Sequence, residues 1–171
     1  MLSLLVALLV SPSMPFAQKP AFTVADAHAV EALVVEALVP ADGNLDARPT
    51  KGRLLLIDPD QVSAVMGKLI DGVPNPGLTI ARAFRAASHD AAVQCAGPRG
   101  HDCQVVNDGI YLTISDAAFV PGTGELRVHA GVVWADAFSG RHYLYGFDID
   151  LFYARTESGW RLVRKGTARV G

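Results

Sequence analysis

Charge is scarce in this chain. Asp, Glu, Lys and Arg make up 19% of its 171 residues, the formal net charge is −2, and neither sign forms a long run. Nucleic-acid binding draws on a basic patch to neutralise phosphates, and no stretch supplies one. Cysteine is nearly absent: the two present are Cys95 and Cys103. Nothing earlier can serve as a lipid-anchored Cys behind an export signal. No Gly-x-Ser-x-Gly nucleophile elbow and no phosphate-cradling glycine loop occurs, so no cofactor is implied. Neither Asn44 nor Asn107 starts a glycosylation sequon, and no internal repeat or low-complexity segment is visible.

What is present is apolar. Half of the residues are hydrophobic, which excludes a disordered chain. The length suits one domain with a real core. Residues 1–10 are almost wholly apolar, Ser11-Pro12-Ser13 breaks the run, and Pro15-Phe16-Ala17 precedes Gln18. The run is too short to span a bilayer, and an apolar stretch before a small residue is the secretory pattern. We read residues 1–17 as a signal peptide cleaved after Ala17 and residues 18–171 as one α+β domain, periplasmic or secreted, with no membrane anchor after cleavage. No Lys or Arg precedes the run, which departs from that pattern. The competing reading is an apolar N-terminal helix packed on the core.

Cys95-Ala-Gly-Pro-Arg-Gly-His-Asp-Cys103 is a short loop whose Pro98, Gly97 and Gly100 allow the sulfurs to meet. In an oxidising compartment this predicts a disulfide. Free thiols are one alternative. A metal site built from Cys95, His101 and Cys103 is another, but its spacing is poor and it has no fourth ligand; no metal is expected.

Residues 24–39 carry the best helical pattern. Ala27, Val30, Leu33, Val34, Ala37 and Leu38 recur at three- and four-residue steps, Thr23 can cap the start with Asp26 as its partner, and Pro40 and Gly43 end it. Residues 41–52 read as a loop. Residues 53–57 read as a short buried strand. Asp58-Pro59 then opens a second helix whose Val62, Val65, Met66 and Leu69 share a face. The prolines within residues 72–77 break it. Residues 78–94 suit a helix but can also begin as a strand.

The last third reads as four antiparallel strands, near 104–119 (with a turn or bulge at Asn107-Asp108-Gly109), 125–137, 142–155 and 159–169, joined by turns at Pro121–Gly124, Ser139-Gly140 and Glu157-Ser158-Gly159. Along the third, Tyr143, Tyr145, Phe147, Ile149, Leu151 and Tyr153 fall on one face. Leu144, Gly146, Asp148, Asp150 and Phe152 fall on the other. The expected architecture is N-terminal helices packed on the apolar face of a curved antiparallel sheet of four or more strands.

The stretch Tyr153-Ala-Arg-Thr-Glu-Ser-Gly159-Trp160-Arg161-Leu162-Val163, closing such a sheet, resembles the final strand of the nuclear-transport-factor-2-like (cystatin-like, cone-shaped) superfamily. The resemblance covers residues 104–170 well and the first half loosely; the cysteine loop and the 54–57 strand depart from it. It implies a cone whose mouth is lined by the concave sheet face and a helix. Isomerases, dehydratases, cyclase-like enzymes and non-catalytic binding or dimerising domains share that shape, so the fold does not choose a function.

Asp148 and Asp150 lie two apart on one strand face, where a desolvated carboxyl can act as a base; the bland reading is a polar outer face that keeps the sheet soluble. Tyr145 is the matching hydroxyl donor. Trp134, Tyr143, Phe147 and Trp160 belong to an aromatic set that either packs the core or walls a pocket for an apolar or ring-shaped ligand. Ser88-His89-Asp90 tempts toward a triad, but adjacent residues point in different directions. His129 and His142 fall on adjacent strands, with His142 expected near Asp136 and nothing forcing the two histidines together. On the last strand, Arg161 and Lys165 are expected on one face and Arg164 on the other, as edge charges. The sequence therefore favours an exported, non-catalytic domain that binds a small apolar ligand or a protein partner. The alternatives are a cofactor-independent isomerase or hydro-lyase with a carboxylate base in a cone-shaped pocket, and a homodimeric structural protein.

Overall fold

The computed structural model describes residues 21–39, 44–45, 48–49, 53–70, 85–96, 102–138 and 140–170. The expected signal peptide, the 72–77 break and His101 lie outside the described residues. The chain is α+β, built on a seven-stranded sheet.

Helix α1, Val24–Leu38, starts where the sequence expects. Thr23 is extended, its hydroxyl accepts from Asp26 N, and the Asp26 carboxylate accepts from Thr23 N and Oγ1, both at 2.8 Å. This closes a capping box and satisfies two N-terminal donors. Two short strands, β1 (Asn44–Leu45) and β2 (Arg48–Pro49), pair within the expected loop. Strand β3 is Leu55–Ile57, and α2 is Pro59–Gly67, whose Asp58 cap accepts from the N–H groups of Asp60 and Gln61. Then come β4 (Arg85–Ala86), α3 (His89–Ala92), β5 (Val93–Cys95) and β6 (Cys103–Val105). A single 3-10 turn at Val106–Asp108 follows, with Asn107 and Asp108 at positive φ. The meander is β7 (Ile110–Phe119), β8 (Leu126–Phe138), β9 (Arg141–Thr156) and β10 (Gly159–Lys165), and β11 is Arg169–Val170.

The sheet order is β10-β9-β8-β7-β3-β4, with β11 also on β9. The meander is antiparallel as expected, but β3 runs parallel to both β4 and β7, so the sheet is mixed. In the chain α2, which packs on β7, stands between the parallel strands β3 and β4, as a crossover helix does. Nor are the helices all N-terminal, because α3 stands between β4 and β5.

One sheet face carries the main core. Val30, Val34 and Leu38 of α1 and Val62 and Met66 of α2 meet Leu112, Leu126, Val128, Leu151 and Tyr153, each at most 2% exposed. Truncating one of these, for example Leu112→Ala, costs about 2–5 kcal/mol. On the other face the β5–β6 hairpin and α3 cover one end, where Ala92, Val93 and Val105 pack with Leu56, Tyr111 and Ala135.

Two bulges decide which face later residues reach. In β7 the register passes from Ile114↔Ala130 to Asp116↔His129, leaving Ser115 as the extra residue. Ala117 and Phe119 thereby join the helix-covered face after Ile114. In β10 Val163 is the extra residue between Leu162 and Arg164. This corrects the expected charge pattern. Arg161 and Arg164 share the open face, where the Arg164 guanidinium lies 3.3 Å from the Phe152 ring centroid, while Lys165 turns under the sheet to donate to Ala37 O at 3.1 Å.

Candidate functional site

Among the described residues, concavities lie on both faces of the sheet. On the open face, cross-strand register brings Thr113, Gly131, Asp148 and Arg169 into one row across β7, β8, β9 and β11. The adjacent row is Asp116, His129 and Asp150. His129 Nδ1 stands 3.0 Å from Asp150 Oδ1, and its Nε2 is 3.9 Å from Asp148 Oδ2, so one imidazole lies between the two carboxylates. Arg127 pairs with Asp116 beside them. The Asp148 side chain is 52% exposed and that of Asp150 35%, which leaves both in contact with solvent. The sequence places Asp148 and Asp150 on one face but gives no reason to seat His129 between them; only the β8–β9 register does. His142 pairs with Ala137, one residue from the expected Asp136, and stays away from His129.

A groove of about 300 Å³ opens beside Asp148, walled by His89, Thr113, Val133, Leu144 and Arg169. It exists because two glycines interrupt otherwise strong strand patterns. A Cβ on Gly131 would stand 2.7 Å from Phe147 O, and one on Gly146 2.6 Å from Val132 O. The floor is bare main chain, as glycines inside strands often provide. Asp148 is the lining residue that the sequence singled out; glycines inside two apolar strands are the further signal it offered. Tyr145 and Phe147 line the groove only through their backbone, because they sit opposite Trp134 and Val132 and their rings pack against the helix-side core. Tyr145 and Asp148 therefore point to opposite faces, and the two are not assembled as donor and base. His89 starts α3 with its ring 5.5 Å from that of Tyr111 and Nδ1 3.3 Å from Asp90. Burial, with the charges of Asp58 and Asp90, pushes the Tyr111 hydroxyl up to about 12.

The second concavity, about 520 Å³, lies at the end of the sheet where α1 begins. Phe22, Phe119 and Trp160 wall it, with centroids 6.0, 5.7 and 6.4 Å apart, and Thr123, Arg155, Thr156 and Glu157 surround them. Trp160 is fixed by donating Nε1–H to Asp26 Oδ1 at 2.8 Å, and Arg155 reaches the same oxygen at 3.1 Å. Burial raises the Asp26 carboxyl, but the hydrogen bonds from Trp160 and Thr23 and the Arg155 charge together outweigh it and hold it below the usual range. Of the four aromatic candidates, Trp160 presents its ring to this cavity. Trp134 is buried and stacked on Tyr145 at 6.3 Å, Tyr143 stands against Phe138 near the hairpin tip, and Phe147 packs on the core.

Cys95 and Cys103 are cross-strand partners in the β5–β6 hairpin and form a disulfide, with Cα atoms 3.9 Å apart. Among the described residues no group of three His, Cys, Asp or Glu is gathered to hold a metal ion, and no helix is long and apolar enough to cross a membrane. Compared with known proteins, the chain matches no protein-family model, no curated protein and no solved structure.

Proposed function

We propose that this is an exported domain that binds a small apolar, ring-shaped ligand without transforming it, in the cavity between Phe22, Phe119 and Trp160. The observation that carries this reading is the convergence of three aromatic rings on about 520 Å³ of space. Ligand sites are concave, apolar-walled and of this size, with a few polar groups to orient the guest; Arg155, Thr156 and Thr123 would fill that role. Aromatic walls favour ring-shaped guests through offset or edge-on packing. The disulfide is compatible with the oxidising compartment that export implies. A meander whose last strand opens on Gly159-Trp160 is in keeping with the likeness to the cone-shaped superfamily.

The test uses the two tryptophans. Trp134→Phe leaves Trp160 as the sole indole. Titration with naphthalene is expected to shift or quench its emission. Native mass spectrometry of protein from the exported fraction of its own host is expected to show an adduct that leaves on denaturation. Unchanged emission together with a bare mass overturns the reading, and a bare dimer points to assembly instead.

A second reading has one observation behind it. Asp148 lines the open-face groove with His129 at 3.9 Å, an arrangement that suits acid–base chemistry in a cofactor-independent isomerase or hydro-lyase. Any such turnover should fall at least 100-fold in Asp148→Asn. Turnover that survives the change removes Asp148 as the base.

A further inference from the structure

The open-face groove also carries a feature that neither reading uses. Asp148 and Arg169 are cross-strand partners of opposite charge, a pairing that ordinarily closes into an ion pair. Here it does not. Asp148 instead has the His129 imidazole 3.9 Å away, and Arg169 makes no hydrogen bond or ion pair with any described residue. Both instead line the groove, side by side, at the edge of a floor made of the Gly131 and Gly146 main chain. Beyond the charges, the side chains of His89, Val133 and Leu144 wall the groove, and Thr113 offers a hydroxyl at the far end of the row.

We propose that this groove binds a small zwitterion of the α-amino-acid class with an apolar side chain. The ligand ammonium meets the Asp148 carboxylate. Its carboxylate meets the Arg169 guanidinium, whose fork suits two parallel hydrogen bonds. The two ligand charges sit on one carbon, which matches two opposite protein charges on directly adjacent strands. The apolar side chain lies over the glycine floor between Val133 and Leu144. At about 300 Å³ the groove is at the low end of ligand sites, which fits a single amino acid rather than a peptide or a nucleotide. A side chain on Gly131 or Gly146 would occupy that space. The inference holds whether or not Asp148 also moves a proton, and it does not depend on the aromatic cavity.

The experiment is calorimetric titration of the whole disulfide-bonded protein with three probes: L-leucine, 3-methylbutylamine (leucine without its carboxylate) and 4-methylpentanoate (leucine without its ammonium). Leucine is expected to bind, and each truncated probe to bind about tenfold or more weaker, the loss expected for one charged hydrogen-bonding group. Asp148→Asn should weaken leucine and the amine and leave the acid unchanged; Arg169→Gln should do the reverse. Both side chains are exposed, so the variants are expected to fold, and their melting curves check that. No binding of leucine, binding no tighter than its fragments, or indifference to both substitutions in folded protein overturns the proposal. Naphthalene binding at Trp160 is read separately, so failure of one site does not pass for failure of the other.

Discussion

Trp160 Nε1 donates to Asp26 Oδ1 at 2.8 Å, tying the strand that closes the sheet to the first turn of a helix 134 residues earlier. The same carboxylate caps α1 and pairs with Arg155. A buried carboxylate with this many partners holds the helix end, the β9–β10 hairpin and the wall of the aromatic cavity in one arrangement.

Trp160→Phe keeps a ring against Phe22 and Phe119 but removes the donor. It is expected to destabilise the protein by about 1.5–3 kcal/mol, the worth of a hydrogen bond to a charged group. Urea unfolding at neutral pH measures it; a change under about 0.5 kcal/mol would show that Arg155 and Thr23 suffice.

Asp26 has a folded-state pKa below its usual value, so its contribution is fully present above the unfolded value near 4 and is lost as pH falls through the depressed folded value. The stability gap between the natural protein and Asp26→Asn should therefore be wide at about pH 7 and shrink at about pH 3. Urea midpoints of both proteins across this range decide it, and a gap independent of pH would contradict the assignment.

Tyr153 is fully buried, and its hydroxyl finds no partner among the described residues. Burial pushes its pKa up, so it stays neutral at ordinary pH. Removing an unpaired buried hydroxyl removes its desolvation cost, so Tyr153→Phe is expected to be neutral or stabilising by up to about 1 kcal/mol. A loss above that in thermal or urea unfolding would reveal a hidden partner.

Gly131→Ala places a methyl against Phe147 O at 2.7 Å, where main chain must yield. The expected cost is about 1–3 kcal/mol, as for overpacking. Leucine binding should be lost as the floor fills. A variant with unchanged stability and unchanged leucine binding would show that the strands part there without strain.

The Cys95–Cys103 bond closes a short loop and clamps the hairpin that covers Tyr111 and Ala135. Replacing both cysteines should cost about 2.5 kcal/mol by loop-closure entropy. Thiol titration of the unreduced, denatured protein should find no free thiols, and two would refute the pairing.

Much of the fold was legible because it rests on local rules. The Thr23–Asp26 box, the Asp58-Pro59 helix entry and the alternation of residues 143–153 all involve neighbours in the chain, and each formed as read. The errors arose where one residue shifts everything after it. The bulge at Val163 separated Arg161 from Lys165, and β3 joined the sheet parallel to both of its neighbours. No local pattern announces either.

By itself the sequence determined an α+β chain with a four-strand antiparallel meander, a cysteine pair within bonding reach, and two carboxylates on the face opposite the aromatic row. Side-chain alternation and turn chemistry are short-range, so they survive without a fold. Only the tertiary structure decided what meets what. It seated His129 between Asp148 and Asp150, put Arg169 beside Asp148 and drew Trp160 onto Asp26. Those contacts depend on strand register and on which elements cover each face of the sheet. Both follow from how the whole chain buries its apolar surface, not from any short stretch of it.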